Sequence, residues 1–423
     1  MGTHVETLIV GAGQAGLTLS HHLTALGREH LLLERARVAE RWRSERWDSF
    51  KLLTPNWHTG LPGMSYRGDD PDGFMGKSQV VALFERYARA VAAPVRTGVT
   101  VLEVRPEGAA WTVVTDTGTY AATNVVIATG HHDRPQVPAR CARALSGDVV
   151  QVHTSRYRNP AQLPAGGVLV VGAGPSGQQI AEELALDGRH VVLAAGRHRT
   201  LPRRYRGRDS HWWMQRMGAF ERTVDSLPNP NAVRGAPAFV LAGGCDDMDL
   251  RRLVAHGVVP TGRLAGVSGS TAWFADDLAT TAAFADDNAR AFRAGVDAFI
   301  ARTGMVAAPP EDPPPPLGAW ASAPARELHL RRAGIRTVIW ATGFRRDFSW
   351  IDAPVLDATG EPVQRRGVTA AAGLYFLGLR WMHRRASDTI HGVGRDAAHL
   401  AGVIARRRAP LPAAAAERVS GAA

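Results

Sequence analysis

Two sets of three glycines carry the strongest chemical signal in this chain. Gly11, Gly13 and Gly16 follow the apolar run Thr7-Leu8-Ile9-Val10, and Gly172, Gly174 and Gly177 follow Val168-Leu169-Val170-Val171. Gln14 and Ala15 complete the first set, while Pro175 and Ser176 complete the second, which runs on into Gln178. A strand that ends in G-x-G-x-x-G and reopens as a helix cradles a dinucleotide. The first glycine turns the chain, the second lets backbone approach a pyrophosphate, and the third lets helix pack on strand. The helix N-terminus then holds the anion with its unpaired N–H groups and dipole. One such motif is a weak sign. Two in the same strand–turn–helix context, at a constant offset of 161 through Gly27-Arg28 and Gly188-Arg189, form an internal repeat.

The copies differ where their second strands end. Leu31-Leu32-Leu33 closes on Glu34, an acid placed to bond ribose hydroxyls, followed by Arg35. Val191–Gly196 instead leads to Arg197-His198-Arg199, with no acid in reach and arginine available for a 2′-phosphate. The first cradle is therefore expected to take the adenosine of FAD or NAD, and the second NADPH rather than NADH. Arg203, Arg204, Arg206 and Arg208 add charge beside the second cradle, or form a solvated basic face.

Several elements must position these cradles. Val125-Val126-Ile127 and Val338-Ile339-Trp340 are strands ending in Ala128-Thr129-Gly130 and Ala341-Thr342-Gly343, where a chain would cross between two nucleotide domains. Val99–Val104 and Trp111–Thr115 alternate as a β-meander. An amphipathic helix is expected near Asp287–Thr303, covering the site or building a homodimer contact, and an exposed loop at Pro309–Pro316. The expected fold is α/β, with two dinucleotide-binding, Rossmann-like domains and the NADPH domain inserted into the FAD domain. The FAD domain takes residues 1–163 and 337–405, the NADPH domain 164–336, and residues 406–423 read as a disordered tail. The returning segment is expected to end in a helix at Asp388–Ala401.

Composition limits the alternatives. A chain of 423 residues exceeds one hydrophobic core, and 45% hydrophobic with 21% charged residues excludes a disordered protein. No apolar run spans a bilayer, and the N-terminus, without a basic leader or cleavage site, reads directly into a strand. A cytoplasmic protein with no membrane partner is expected. Cys141 and Cys245 are too few for a disulfide framework, a zinc site or a Cys-x-x-Cys pair, so no metal is expected. The net charge of +11 comes almost wholly from arginine, Lys51 and Lys77 being the only lysines. No helix-turn-helix or basic-aromatic stripe accompanies it, which argues against nucleic acid.

The paired glycine motifs and Ala-Thr-Gly crossings resemble the FAD- and NADPH-dependent class B flavoprotein monooxygenases, over nearly the whole chain to about Ala405. That group holds the flavin-containing, YUCCA-like, N-hydroxylating and Baeyer–Villiger enzymes. Ile127–His132 and His153-Thr154-Ser155-Arg156-Tyr157 are most similar to the flavin-containing branch, whose fingerprint is F-x-G-x-x-x-H-x-x-x-Y/F. Leu145-Ser146-Gly147 replaces Phe-x-Gly, and five residues separate Gly147 from His153. Tyr157 stands where the Baeyer–Villiger branch carries tryptophan, which favours heteroatom oxygenation.

The resemblance implies that Trp42, Arg43 and Trp47 border the flavin, with Arg35 and Val101 among its contacts, and that Leu53-Thr54-Pro55-Asn56 passes beside the isoalloxazine. Asn56 would contact the flavin C4a–oxygen adduct, or else form an Asx-turn before Trp57. His153 would orient the domain interface or NADPH, or serve as a hydrogen-bonded linker residue. The implied activity uses NADPH to reduce FAD, forms a flavin C4a-(hydro)peroxide with O2, and oxygenates a small molecule at nitrogen or sulfur. Alternatives are a Baeyer–Villiger or oxidative-decarboxylating monooxygenase, a reductase for an electron-carrier protein, and a redox sensor with little turnover. Phe74-Met75, His211–Met214 and Gly243–Asp249 are the candidate substrate contacts.

Overall fold

The computed structural model describes residues 3–229, 238–241 and 243–407. The apolar run before the first glycine motif forms β1 (Thr3–Val10), and the turn reopens as α1 (Gln14–Ala25). Then come β2 (His30–Glu34), α2 (Glu40–Ser44), α3 (Lys77–Ala90), β3 (Val95–Thr97), β4 (Val101–Glu107), β5 (Ala110–Thr115) and β6 (Gly118–Ile127). They make one sheet in the order β3-β2-β1-β6-β5-β4, parallel from β3 to β6 and antiparallel through the expected meander. Leu8 and Ile9 are wholly buried, because a parallel sheet covered on both faces needs apolar residues on successive positions, and Leu17, Leu19 and Leu23 of α1 are wholly buried in the same core.

The second sheet is all parallel. Its strands are β7 (Val150–His153), β8 (Gly167–Val171), β9 (Val191–Ala194), β10 (Val259–Thr261) and β11 (Ile335–Trp340), in the order β10-β9-β8-β11-β7, with α4 (Pro175–Leu186) after β8. Period-two alternation splits its residues between two cores. Val168, Val170, Val191, Leu193 and Ile339 face one side, where they meet α4 residues Ile180, Ala181 and Leu184. Leu169, Val171, Val192, Val338 and Trp340 face the other, where they meet Ala272, Phe274 and Leu330.

Strand pairing departs from the expected limits at 164 and 336. β7 precedes that range and β11 straddles its end, yet both hydrogen-bond within the second sheet. The chain crosses instead at 134–135 and 344–345, which run antiparallel side by side with Phe344 opposite Pro135. β12 (Leu374–Phe376) then returns to pair with β6, and α5 (Leu278–Thr303) and α6 (Val393–Arg406) complete the described helices used below. α6 begins later than Asp388 and runs to Arg406, so the expected tail starts beyond it. The rest of that tail, from residue 408, lies outside the described residues. α5 is longer than its expected span, and packs Val296, Phe292 and Phe299 against Tyr205 and Trp213. No helix among the described residues is long and apolar enough to cross a membrane.

Candidate dinucleotide sites and the cleft between them

The two glycine turns repeat one another atom for atom. Gly11 has φ +107° and Gly172 φ +111°, a region that an L side chain rarely adopts. A Cβ on Gly11 would lie 2.8 Å from the carbonyl oxygen of Ala128, and one on Gly172 would lie 2.5 Å from that of Ala341. The Ala-Thr-Gly crossings are thus the walls against which the turns close. Ala128 donates to the Val10 carbonyl at 2.9 Å and Ala341 to that of Val171 at 2.8 Å. Gly16 and Gly177 are equally forced, since a Cβ on either would collide with the carbonyl of Gly11 or Gly172.

Gly13 and Gly174 are different. Both are extended, and a Cβ on either meets nothing within 4 Å. Nothing in the chain's own packing requires glycine there, so the vacant space faces outward, at the N-terminus of α1 or α4. Neither helix has a capping side chain or an acid in its first turn. Unpaired N–H groups, bare backbone and an uncontested dipole fit a pyrophosphate at both places.

The flanking residues separate the sites. Glu34 is half-buried, and its carboxylate accepts from the N–H of Ala12 at 2.9 Å and of Ala36 at 3.1 Å, at the mouth of the first turn. Arg35 is exposed, and Val101 opens β4 close to Glu34, whose carbonyl accepts from Val99 at 3.0 Å. Gln14 donates to the carbonyl of Asp388 at 2.6 Å, tying the first turn to the returning segment. Arg197 is exposed at the end of β9, its guanidinium 4.0 Å from the centre of the Phe284 ring. His198 is buried on the Gly196 carbonyl at 3.0 Å, and Arg199 donates to Asn288 at 3.1 Å. Gln178 is wholly buried and holds the Ala173 carbonyl at 3.0 Å. The downstream arginines do not join this site. Arg203 is buried and paired with Asp209 at 2.5 Å, and Arg206 pairs with Asp297 at 3.2 Å.

A cleft of about 270 Å³ opens beside the second turn. Trp42, Trp47, Thr54, Pro175 and Ser176 line it, so five of the sequence-expected residues converge there. Arg46, Gln179, His132 and Phe344 join them without having been anticipated. Arg46 could have been found, being one helical turn beyond Trp42, whose ring its guanidinium covers at 5.1 Å. Arg43 turns away to Glu85 at 2.5 Å. Trp47 also packs into the core of the second sheet beside Tyr157, so it pins the sheets together as well as lining the cleft.

Asn56 and His153 are not among the cleft walls. His153 is buried and bridges Ser155 at 3.0 Å and the Gly343 carbonyl at 3.0 Å, with the Phe344 ring edge-on at 4.9 Å. Burial holds its imidazole below the usual histidine range. This arrangement braces the second crossing. Tyr157 is buried too, and donates to Glu183 at 2.7 Å. Asn56 opens a 3₁₀ turn over 56–58 and donates to the Asp70 carbonyl at 2.9 Å, which replaces the anticipated Asx-turn. Its Oδ1 is buried without a partner.

Behind Asn56 lies a histidine cluster that the sequence did not announce. The His58 and His391 rings are 3.7 Å apart, with His211 and Phe220 against them. Burial, reinforced by His391 and His211, drives His58 down to about 2, and burial drives His391 down to about 4. Of the other candidate contacts, Trp213 is wholly buried and Met75 is core. Trp212 lies between Arg208 and Arg216 at an open surface groove.

The sequence profile of the pyridine nucleotide-disulphide oxidoreductase family matches residues 8–221. An uncharacterized CzcO-like oxidoreductase of Geobacillus kaustophilus is 34% identical over 407 residues, covering 94% of this chain and 97% of its own length. The indole-3-pyruvate monooxygenase YUCCA1 of Oryza sativa subsp. japonica is 35% identical over 193 residues, 43% of this chain and 45% of that protein. Among solved structures, the flavin-containing monooxygenase from Stenotrophomonas maltophilia superposes with a TM-score of 0.66 at 20% identity, over 95% of this chain and 98% of that one. The chain belongs to the pyridine nucleotide-disulphide oxidoreductase family, and its fold is that of the flavin-containing monooxygenases, as the sequence resemblance implied.

Proposed function

We propose that this protein is an FAD-dependent monooxygenase that consumes NADPH and transfers one atom of O2 to a small molecule, at nitrogen or sulfur. The observation that carries the reading is the mirrored pair of cradles, the second of which opens on an aromatic-walled cleft. In each, the first and third glycines are fixed by packing and the middle one is left bare for a ligand.

Bound FAD, reduced by NADPH, would supply the oxygen-activating chemistry. The chain's residues bind, orient and shield. Gly13 and the α1 N-terminus would hold the FAD pyrophosphate, with Glu34 at its ribose. Gly174 and the α4 N-terminus would hold that of NADPH, with Arg197 at its 2′-phosphate. Trp42, Trp47, Phe50 and Phe344 give the cleft aromatic walls that displace water. Asn56 lies two residues beyond the cleft wall Thr54 and is not itself a wall, and we assign its buried, unpartnered Oδ1 a positioning role behind the cleft. The domain division we adopt follows the sheets, with the NADPH unit between the paired linkers at 134–135 and 344–345. A disulfide-reducing role finds no support in the cysteines. Cys141 and Cys245 are both free, and neither lines the cleft.

The test is anaerobic reduction of the purified flavoprotein by NADPH, then mixing with ¹⁸O2 and candidate amines or sulfides. Rapid reduction and ¹⁸O in the product are expected. Failure of NADPH to reduce the flavin, or quantitative H2O2 with every candidate, would overturn the reading.

A further inference from the structure

Many buried and half-buried arginines of this chain pair with acids: Arg203 meets Asp209, Arg384 meets Asp396, Arg251 meets Asp286 and Arg41 meets Asp133. Others, Arg46, Arg158, Arg293 and Arg366 among them, form no ion pair with a described residue. One such group draws several positive charges together. Arg199, Arg380 and Arg385 are partly buried, come from distant parts of the chain, and form no ion pair with any described residue. The Arg199 and Arg385 guanidiniums lie over the same ring, Phe239, at 3.9 Å and 5.0 Å. Among the described residues, Arg199 is held by one side-chain bond, to Asn288, and the Arg385 guanidinium has no partner but that ring.

The group sits beside the cleft. Ala386, next to Arg385, packs with Leu201, Leu241 and Leu53, and Leu53 is itself a cleft wall. Burial, with repulsion from Arg199, Arg380 and Arg222, pushes the Arg385 guanidinium down to about 10. Asp388 is the one acid among its main influences, and it lies on the segment that Gln14 grips. Like charges held together without a counter-ion cost free energy until an anion arrives, and a planar guanidinium suits a carboxylate through paired N–H donors.

We infer that Arg199, Arg380 and Arg385 form a receptor for the carboxylate of the substrate, so that the molecule oxygenated is an organic acid anion. This rests on the monooxygenase reading for the word substrate, though not for the anion site itself. The same chemistry would suit a dinucleotide phosphate. The carboxylate is favoured because Arg380 and Arg385 come from the returning segment, which Gln14 of the first turn holds at Asp388, and not from the second glycine unit.

The experiment is calorimetric titration of the FAD-loaded protein with phenylacetate, and with phenylacetamide as its neutral isostere. The carboxylate should bind at least about tenfold more tightly, from charge-assisted hydrogen bonds the amide cannot make. Arg385→Gln and Arg380→Gln should each erase the preference, and Arg385→Lys should restore part of it. NADP⁺ titrated into the same variants should bind within about twofold of the parent protein, as its phosphates lie elsewhere. Equal binding of acid and amide, or no detectable binding of either, would overturn the proposal. So would an Arg385→Gln variant that keeps its preference for the acid but loses NADP⁺, since the group would then be a phosphate site. NADPH reduction of the flavin, measured on the same samples, reports separately on the monooxygenase reading.

Discussion

Arg197 and Arg199 follow β9 only two residues apart and both reach α5, at Phe284 and Asn288, one helical turn apart. Arg197 lies in solvent over Phe284, while Arg199 turns inward over Phe239 with its Nε on Asn288. We propose that cofactor choice falls to Arg197, the exposed one of the two. Arg197→Ala is expected to weaken NADPH binding by about tenfold or more, through loss of a charge-assisted contact, and to leave NADH nearly unchanged. Dissociation constants for both dinucleotides would check it, and equal losses would refute the assignment.

The glycines make a sharper contrast. Gly13→Ala adds a methyl group to open space in the described structure, so apo-protein stability should change by less than about 1 kcal/mol while FAD affinity collapses. Gly16→Ala drives a Cβ into the Gly11 carbonyl, and should cost on the order of 3 kcal/mol or prevent folding. Chemical denaturation of the apo-proteins, with flavin content after purification, distinguishes the two effects.

His153 braces the second crossing through the Gly343 carbonyl. His153→Ala should lower unfolding free energy by about 1–3 kcal/mol, as expected for lost buried hydrogen bonds. The pH–rate profile of the surviving enzyme should keep its shape. Disappearance of one limb of that profile would show instead that His153 titrates during turnover.

The buried histidines make stability depend on pH. His58 at about 2 and His391 at about 4 lie below the ordinary value of 6.5. Between pH 6.5 and 4 the unfolded chain takes up protons that the folded one refuses, so stability is full above 6.5 and falls with acid. Each such site contributes a slope of up to about 1.4 kcal/mol per pH unit in that window. His58→Phe should flatten the dependence by about one proton. An unchanged slope in urea titrations at pH 7, 6 and 5 would show that His58 is protonated in the native state.

Asn56→Ala removes the donor to the Asp70 carbonyl and the unpartnered Oδ1 together. Flavin reduction by NADPH should keep its rate, while the share of NADPH that yields oxygenated product falls and H2O2 rises. Unchanged coupling would take Asn56 out of the chemistry.

Much of the site was legible because local backbone geometry writes itself into composition. A turn with φ near +110° closing on a carbonyl admits only glycine at Gly11 and Gly172, and a Cβ at Gly16 or Gly177 would strike that turn, so these four announce the cradles, and Glu34 marks the first by its place at the end of β2. Other parts were less legible. A domain limit drawn after Leu163 missed that β7 belongs to the second sheet, because strand partnership is a long-range choice that periodicity does not encode.

The sequence by itself determined two dinucleotide cradles in an inserted arrangement, and it holds no Cys-x-x-Cys pair. Only tertiary structure decided what the arginines do. Arg203, read as part of a basic run, is buried against Asp209, and Arg199 lies over Phe239 while Arg197 lies over Phe284. Arg380 and Arg385 come from the far end of the chain to stand with Arg199. A charged side chain takes its meaning from the partner it meets in space, and those partners lie from 6 to more than 180 residues away in the chain. Glycine signals are local, and charge signals are not.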